Sequence, residues 1–191
     1  MDLKGALREQ FHAGLSMLAD CVDSCPPELW NSGEKVRTYW RIAWHAVYFT
    51  HLYLLQGEED FHRSISSWPA AVKALLVPNS EQDRSEIEPY ELPPNTDAPS
   101  KEVTLEYIAF VDSQVNSIID SLDLERSDTG FFWYPNMSKI SHELLNLRHL
   151  QGHVGQLSEL LNGAGIDTEW VSKANSFTAH REIRERNSQS S

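Results

Sequence analysis

Cysteine is scarce in this chain: Cys21 and Cys25 are the only two among 191 residues. A disulfide framework needs more, and a zinc knuckle takes a shorter spacing with a second pair downstream, so the two read as reduced, partly buried thiols. Long apolar runs are missing as well. With no stretch of about eighteen consecutive apolar residues, no segment is expected to span a membrane. The opening Met1-Asp2-Leu3-Lys4-Gly5-Ala6-Leu7-Arg8-Glu9 lacks the apolar core of a signal peptide, and the expected location is cytoplasmic. Positive charge is in deficit, 16 basic against 28 acidic residues for a net charge of -12. Binding a phosphate backbone needs the opposite field, so nucleic acid is not an expected partner. Strand-period alternation and internal repeats are also wanting, which leaves one reading of the chain as a whole: a single all-α domain.

Helical periodicity is what the sequence does have. Leu3, Leu7, Phe11, Leu15, Leu18 and Val22 recur at three- and four-residue steps, predicting a first helix over 2–23. Cys25-Pro26-Pro27 stops it, because proline cannot continue a helix and restricts the residue before it. Asn31 and Ser32 offer a cap for a second helix over 33–56, with Gly57 at its end. Short helical turns are expected over 59–66, before Trp68-Pro69, and over 70–77. Residues 78–99 then break the pattern. Pro78, Pro89, Pro93, Pro94 and Pro99 stand among Glu81, Asp83, Glu86, Glu88, Glu91 and Asp97, which predicts a long surface crossover. Ser100 opens a third helix whose stripe is Ile108, Val111, Val115, Ile118 or Ile119, and Leu122. After the aromatic run Phe131-Phe132-Trp133-Tyr134, a fourth helix runs from 138 to 162 and stops at Gly163. Four long amphipathic helices with a long second-to-third connection read as a four-helix bundle over 1–165, followed by a polar tail over 166–191 that is loosely held after Trp170.

The chemistry concentrates in Arg148-His149-Leu150-Gln151-Gly152-His153-Val154-Gly155-Gln156-Leu157. Histidines four residues apart on a helix stack one above the other, roughly 6 Å apart at Cβ, and can grip one metal ion from one face. Far upstream, His45 shares a helical face with Ile42, Phe49 and Leu52, so it points toward the bundle interior; His51 is turned about 120° away. Three inward imidazoles leave a fourth coordination position for water or substrate, the layout of a catalytic rather than a closed structural site. A lone histidine on an apolar face is more often a core residue than a ligand, but two adjacent ones need a shared reason to be buried. Leu150 and Gln151 stand where H-E-x-x-H would carry its glutamate, which disfavours metalloprotease chemistry. Around this set, His142 is about 10 Å from His149 along the helix, too far to share an ion, though able to line the pocket. Gln156 could orient a ligand histidine or serve only in packing. Glu34 lies three turns before His45, too remote for a base. His12 faces inward on the first helix, and Trp40, Trp44, Tyr48 and Trp133 are expected to fill the core.

Leu147-Arg148-His149-Leu150-Gln151-Gly152-His153-Val154-Gly155-Gln156-Leu157 resembles the last-helix signature of the DinB-like (YfiT-like) metal-binding four-helix proteins, and Trp44-His45-Ala46-Val47 matches the histidine those proteins carry in the second helix. The resemblance spans roughly residues 3–162. It implies that His45, His149 and His153 bind one divalent cation, zinc or nickel first among the metals that suit imidazole. The acidic segment 78–99 and the polar tail depart from that family's pattern. Among its relatives are metal-dependent hydrolases and thiol-dependent transferases or isomerases, so the resemblance narrows the site more than the reaction.

Two reactions suit such a site. The ion can lower the pKa of a coordinated water to about 7 for hydrolysis, or bind a low-molecular-weight thiol and stabilise its thiolate for transfer to a small-molecule substrate. The thiol form leads, because a thiolate needs no strong general base and no such base is recognisable here. Against both stands a non-enzymatic bundle with a structural ion and a homodimer interface on an outer helical face. Haem or di-metal chemistry is disfavoured by the lack of paired E-x-x-H motifs.

Overall fold

The computed structural model describes residues 2–34, 37–76, 91–93 and 95–176. Among them the chain is all-helical, with seven α-helices, one 3₁₀ turn and no strand. The helices are α1 (Leu3–Ser24), α2 (Pro27–Trp30), α3 (Tyr39–Leu54), α4 (Glu58–Ser64), α5 (Ala70–Leu76), α6 (Lys101–Ser121) and α7 (Lys139–Gly163), with the 3₁₀ turn at Ile65–Ser67.

Local chemistry sets the ends. Asp2 caps α1, its carboxylate accepting from the Gly5 amide at 2.7 Å, and Cys25 ends it in an extended conformation ahead of Pro26. Ser100 and Ser138 cap α6 and α7 in the same manner. The α7 end is closed by Gly165 at φ +79, where the amide of Ile166 reaches back to the Leu161 carbonyl at 3.0 Å. The left-handed residue is therefore two positions beyond the glycine expected to stop the helix.

The second long helix starts at Tyr39, later than the Asn31-Ser32 cap predicted. Gly33 takes φ +116, and a side chain there would meet the Arg37 carbonyl oxygen at 2.6 Å. The Tyr39 amide donates back to Ser32 O at 3.1 Å, so this stretch closes a loop instead of a helical turn. Glu34 accordingly lies in that loop and not on the helix of His45. Pro27 instead begins the short α2, where a proline fits the first helical position. Its Trp30 is buried and donates from Nε1 to Pro99 O at 2.9 Å.

α1 packs on α6 and α7, and α3 packs on α7 and α6. The directions follow from two lysines. Lys101, the first residue of α6, donates to Asp23 O and Cys25 O at the end of α1 (2.8 and 2.7 Å). Lys139, the first residue of α7, donates to Tyr53 O at 3.0 Å and to Leu55 O at the end of α3. Each ammonium satisfies carbonyls that the helix leaves unpaired and sits at the negative end of its dipole. α1/α6 and α3/α7 are thus antiparallel pairs. The core runs continuously through Phe11, Leu15 and Leu18 of α1, Val47 and Leu52 of α3, Ile108, Val111 and Val115 of α6, and Leu150, Val154, Leu157 and Leu161 of α7. Leu3, at the head of the predicted first stripe, is exposed. Trp40, Trp44 and Tyr48 are buried in the core, as expected, and Trp133 is partly buried against it.

Where it is described, the surface crossover lies against α3, and the tail expected to be loosely held is hydrogen-bonded to α1. Glu91, Leu92 and Pro93 lie against α3, with the Arg41 guanidinium donating to Leu92 O (3.2 Å) and Pro93 O (2.7 Å). After α7 the chain returns along α1. The Glu169 amide donates to Asp20 Oδ2 at 3.3 Å, Gln10 Nε2 to Ser172 O at 3.1 Å, and the Ala174 amide to Glu9 O at 3.3 Å. Most of the acidic crossover, and the arginines at 181, 184 and 186, lie outside the described residues. No helix among the described residues is long and apolar enough to cross a membrane.

Candidate metal centre

His45 is contributed by α3, and His149 and His153 by consecutive turns of α7, the antiparallel neighbour. Their ring centroids are 4.5 Å apart for His149 and His153, 4.7 Å for His45 and His153, and 5.0 Å for His45 and His149. The Nε2 atoms converge: that of His149 lies 3.0 Å from the Nε2 of His45 and 3.0 Å from that of His153. Among the described residues this is the group of His, Cys, Asp or Glu side chains placed to share an ion, its ligand atoms all within 4.8 Å of one another.

The outer ring nitrogens explain why the inner ones are bare. His45 Nδ1 stands 2.6 Å from a carboxylate oxygen of Glu91, so Nδ1 carries the proton and donates it. His153 Nδ1 donates in the same way to Gln156 Oε1 at 2.9 Å. With both protons held outside, the Nε2 atoms of His45 and His153 present lone pairs to His149 Nε2. A single proton on His149 Nε2 could satisfy one of them and would leave the other pair in lone-pair repulsion. His149 Nδ1 is buried with no hydrogen-bond partner among the described residues. One cation among the three Nε2 atoms resolves the conflict. Zinc–nitrogen bonds of about 2.0–2.1 Å in a tetrahedron put ligand nitrogens roughly 3.3 Å apart, within a few tenths of the 3.0 Å that separates His149 Nε2 from each of the other two. Burial, reinforced by the neighbouring imidazoles, pushes the His149 pKa down to about 3, and burial first and then His45 lower that of His153. Both rings stay neutral, the form a metal requires. The residues fit a divalent ion.

The site lies at the rim of the core, not at its centre. The buried apolar face of the second half of α7 is Leu150, Val154, Leu157 and Leu161, and Leu160, two turns after His153 on the histidines' own face, is exposed. The His45 side chain is 25 % exposed and that of Glu91 34 %. The inward direction read from periodicity is therefore corrected to the α3–α7 seam, where one side of the three-histidine cluster meets solvent. Phe49 backs His45 at 4.3 Å between ring centroids and also lies 5.9 Å from His149. Tyr53, one turn further along α3, stands 6.2 Å from His149.

The other candidate residues divide cleanly. His51 does not join the cluster: it is buried, its Nδ1 is 3.1 Å from the Tyr107 hydroxyl, and burial holds its pKa down to about 3. His12 faces inward but is engaged between α1 and α6, with Nδ1 2.6 Å from Asp112 and Nε2 3.1 Å from Asn116. His142 is wholly buried among Tyr53, Phe131 and Tyr134, and neither ring nitrogen has a partner among the described residues. Cys21 and Cys25 are free and buried, and burial pushes both thiols up to about 11, which makes them inert.

Two features escaped the sequence reading. Glu91 was one acidic residue among several in a proline-rich stretch with no periodicity to mark it. The wholly buried Lys139–Glu143 ion pair, 2.8 Å apart, looks in sequence like an ordinary i, i+4 surface pair.

No family model matches the chain, and neither a curated protein nor a solved structure matches it.

Proposed function

We propose that the chain is a DinB-like four-helix bundle, with the long connection between its second and third long helices, and that His45, His149 and His153 hold one divalent cation, zinc or nickel. In this reading it is a metal-dependent enzyme acting on a small molecule, transferase-like, with a low-molecular-weight thiol as the activated group. The observation that carries the proposal is the convergence of three Nε2 atoms whose outer nitrogens, on His45 and His153, are committed to Glu91 and Gln156. The chemistry an ion supplies there is acidification of a thiol or a water at the position three imidazoles leave open.

The chain's own residues favour the thiol. Among the described residues, the carboxylate that reaches the site, Glu91, is spent on the outer nitrogen of His45, where it accepts a hydrogen bond. Water attack benefits from a base beside the nucleophile, whereas a thiol acidified at neutral pH gives up its proton to solvent unaided. Phe49 and Tyr53 supply apolar wall beside the histidines for the substrate's carbon framework.

Cobalt substitution tests the reading. Titrating the cobalt-loaded chain with small thiols is expected to produce a sulfur-to-cobalt charge-transfer band that His153→Ala abolishes. Metal-dependent ester or amide cleavage without any such band would move the assignment to a hydrolase. Silence in both assays, with metal bound, would assign a structural ion, and the assembly state would then be measured for the homodimer that reading carries.

A further inference from the structure

Glu91 lies far from His45 in the chain, in the proline-rich segment between α5 and α6, yet its carboxylate oxygen stands 2.6 Å from His45 Nδ1. It is held there through the two residues that follow it. Arg41, four residues before His45 and so on the same face of α3, donates to the carbonyls of Leu92 and Pro93, the two residues that follow Glu91. The Arg41 guanidinium is itself seated on the Trp40 ring, 4.5 Å from its centroid. One helical face thus carries both the imidazole and the clamp that brings the carboxylate to it.

We propose that Glu91 is a positioning residue of the metal centre, orienting His45 and fixing its proton on Nδ1, and that Arg41 acts through it by holding the 91–93 segment in place. This inference rests on the reading of the three histidines as metal ligands. A carboxylate on the outer nitrogen of a ligand imidazole locks the tautomer, fixes the ring plane and raises the basicity of the inner nitrogen. His153 has a neutral partner in that role, Gln156, and His149 has none among the described residues. Among the described residues, His45 is therefore the one of the three imidazoles with an anionic partner. It is also the one contributed by the opposite helix, so its orientation closes the site across the α3–α7 seam.

The test uses the full chain, with zinc alone as the probe, titrated in competition with a chromophoric chelator. Glu91→Ala is expected to weaken zinc binding about tenfold to a hundredfold, the usual cost of losing such a partner. Glu91→Gln keeps an acceptor and removes only the charge, so its affinity is expected to fall between those of the native chain and the alanine variant. The visible bands of the cobalt-loaded alanine variant are expected to shift, a change in ligand geometry that a loss of stability alone does not produce. Arg41→Met is expected to weaken binding in the native background and to add nothing in the Glu91→Ala background. Loss of zinc in His149→Ala, together with Glu91 variants within about twofold of the native affinity, would overturn the inference and leave the metal site standing. Failure of the native chain itself to take up zinc would remove the metal reading, and this inference with it. An equal effect of Arg41→Met in both backgrounds would overturn its action through Glu91.

Discussion

Replacing Gly130 by alanine isolates how the loop after α6 is locked to the end of α3. Gly130 sits at φ +78, and a Cβ built there would lie 2.3 Å from the Gln56 carbonyl oxygen and 2.7 Å from the Gly57 Cα. Both obstacles are backbone, so no side-chain rotation relieves them. The same crossing is sewn by the Glu58 amide donating to Gly130 O at 3.3 Å and by the Asp123 amide donating to Gln56 Oε1 at 2.8 Å. The left-handed backbone costs an alanine roughly 1–2 kcal/mol, and forcing packed backbone apart costs about 1–3 kcal/mol more. Restricting the unfolded chain returns only about 0.4–1 kcal/mol. A net loss of about 1–4.6 kcal/mol corresponds to a Tm lower by roughly 2–18 °C at this size. Gly155→Ala is the matched control: that glycine is inside α7 with nothing within 4 Å of its Cβ position. It should gain up to about 1 kcal/mol of helix propensity. Urea unfolding of the two variants beside the native chain gives both signs. A Gly130→Ala chain as stable as the native one would show that the loop can move off α3, and the packing account of this corner would fail.

Three further outcomes are expected. Zinc at a hundred times its Kd should stabilise the chain by about 2.7 kcal/mol, a Tm rise of roughly 5–11 °C, and thermal melts of His45→Ala, His149→Ala and His153→Ala should lose that rise; a rise kept in all three would place the ion elsewhere. Burial acts to lower the His12 pKa, but the hydrogen bond and charge of Asp112, with help from Asn116, outweigh it and leave the pKa raised. The folded state thus holds that proton more tightly than the unfolded one, so the contribution is complete below about pH 6.5 and is lost as pH rises through the folded value. Melts across pH 6 to 9 should therefore show a steeper decline for the native chain than for His12→Gln, and parallel curves would count against a charged His12. Lys139→Met strands the Glu143 carboxylate and the Tyr53 and Leu55 carbonyls, so denaturant unfolding should show a loss of about 3–5 kcal/mol, with Lys139→Met/Glu143→Leu recovering part of it; a single-variant cost below about 1 kcal/mol would mean that water reaches the pair.

The long helices and the three histidines were legible in the sequence because their signals are local. A 3.6-residue period, a serine or aspartate at a cap and two imidazoles one turn apart each depend on neighbours within a few residues, and helix geometry carries that information into space unchanged. The same locality produced the misplaced start of α3. Asn31 and Ser32 have the chemistry of a cap, but the left-handed Gly33 and the Tyr39-to-Ser32 bond turn the chain into a loop first. Periodicity also separates an apolar face from a polar one without saying which neighbour covers its edge. That His149 and His153 lie on the α3–α7 seam, and not in mid-core, depends on which helices are adjacent. Partnerships across the fold left no trace in sequence at all. Asp112 on His12, Lys139 on the end of α3 and Glu91 on His45 are single polar residues, each reading as one charge among many until the fold brings it to its partner. Burial then decides their consequence, because a charge or imidazole taken out of water must be answered by a specific group at hydrogen-bond distance, and only tertiary packing supplies that group.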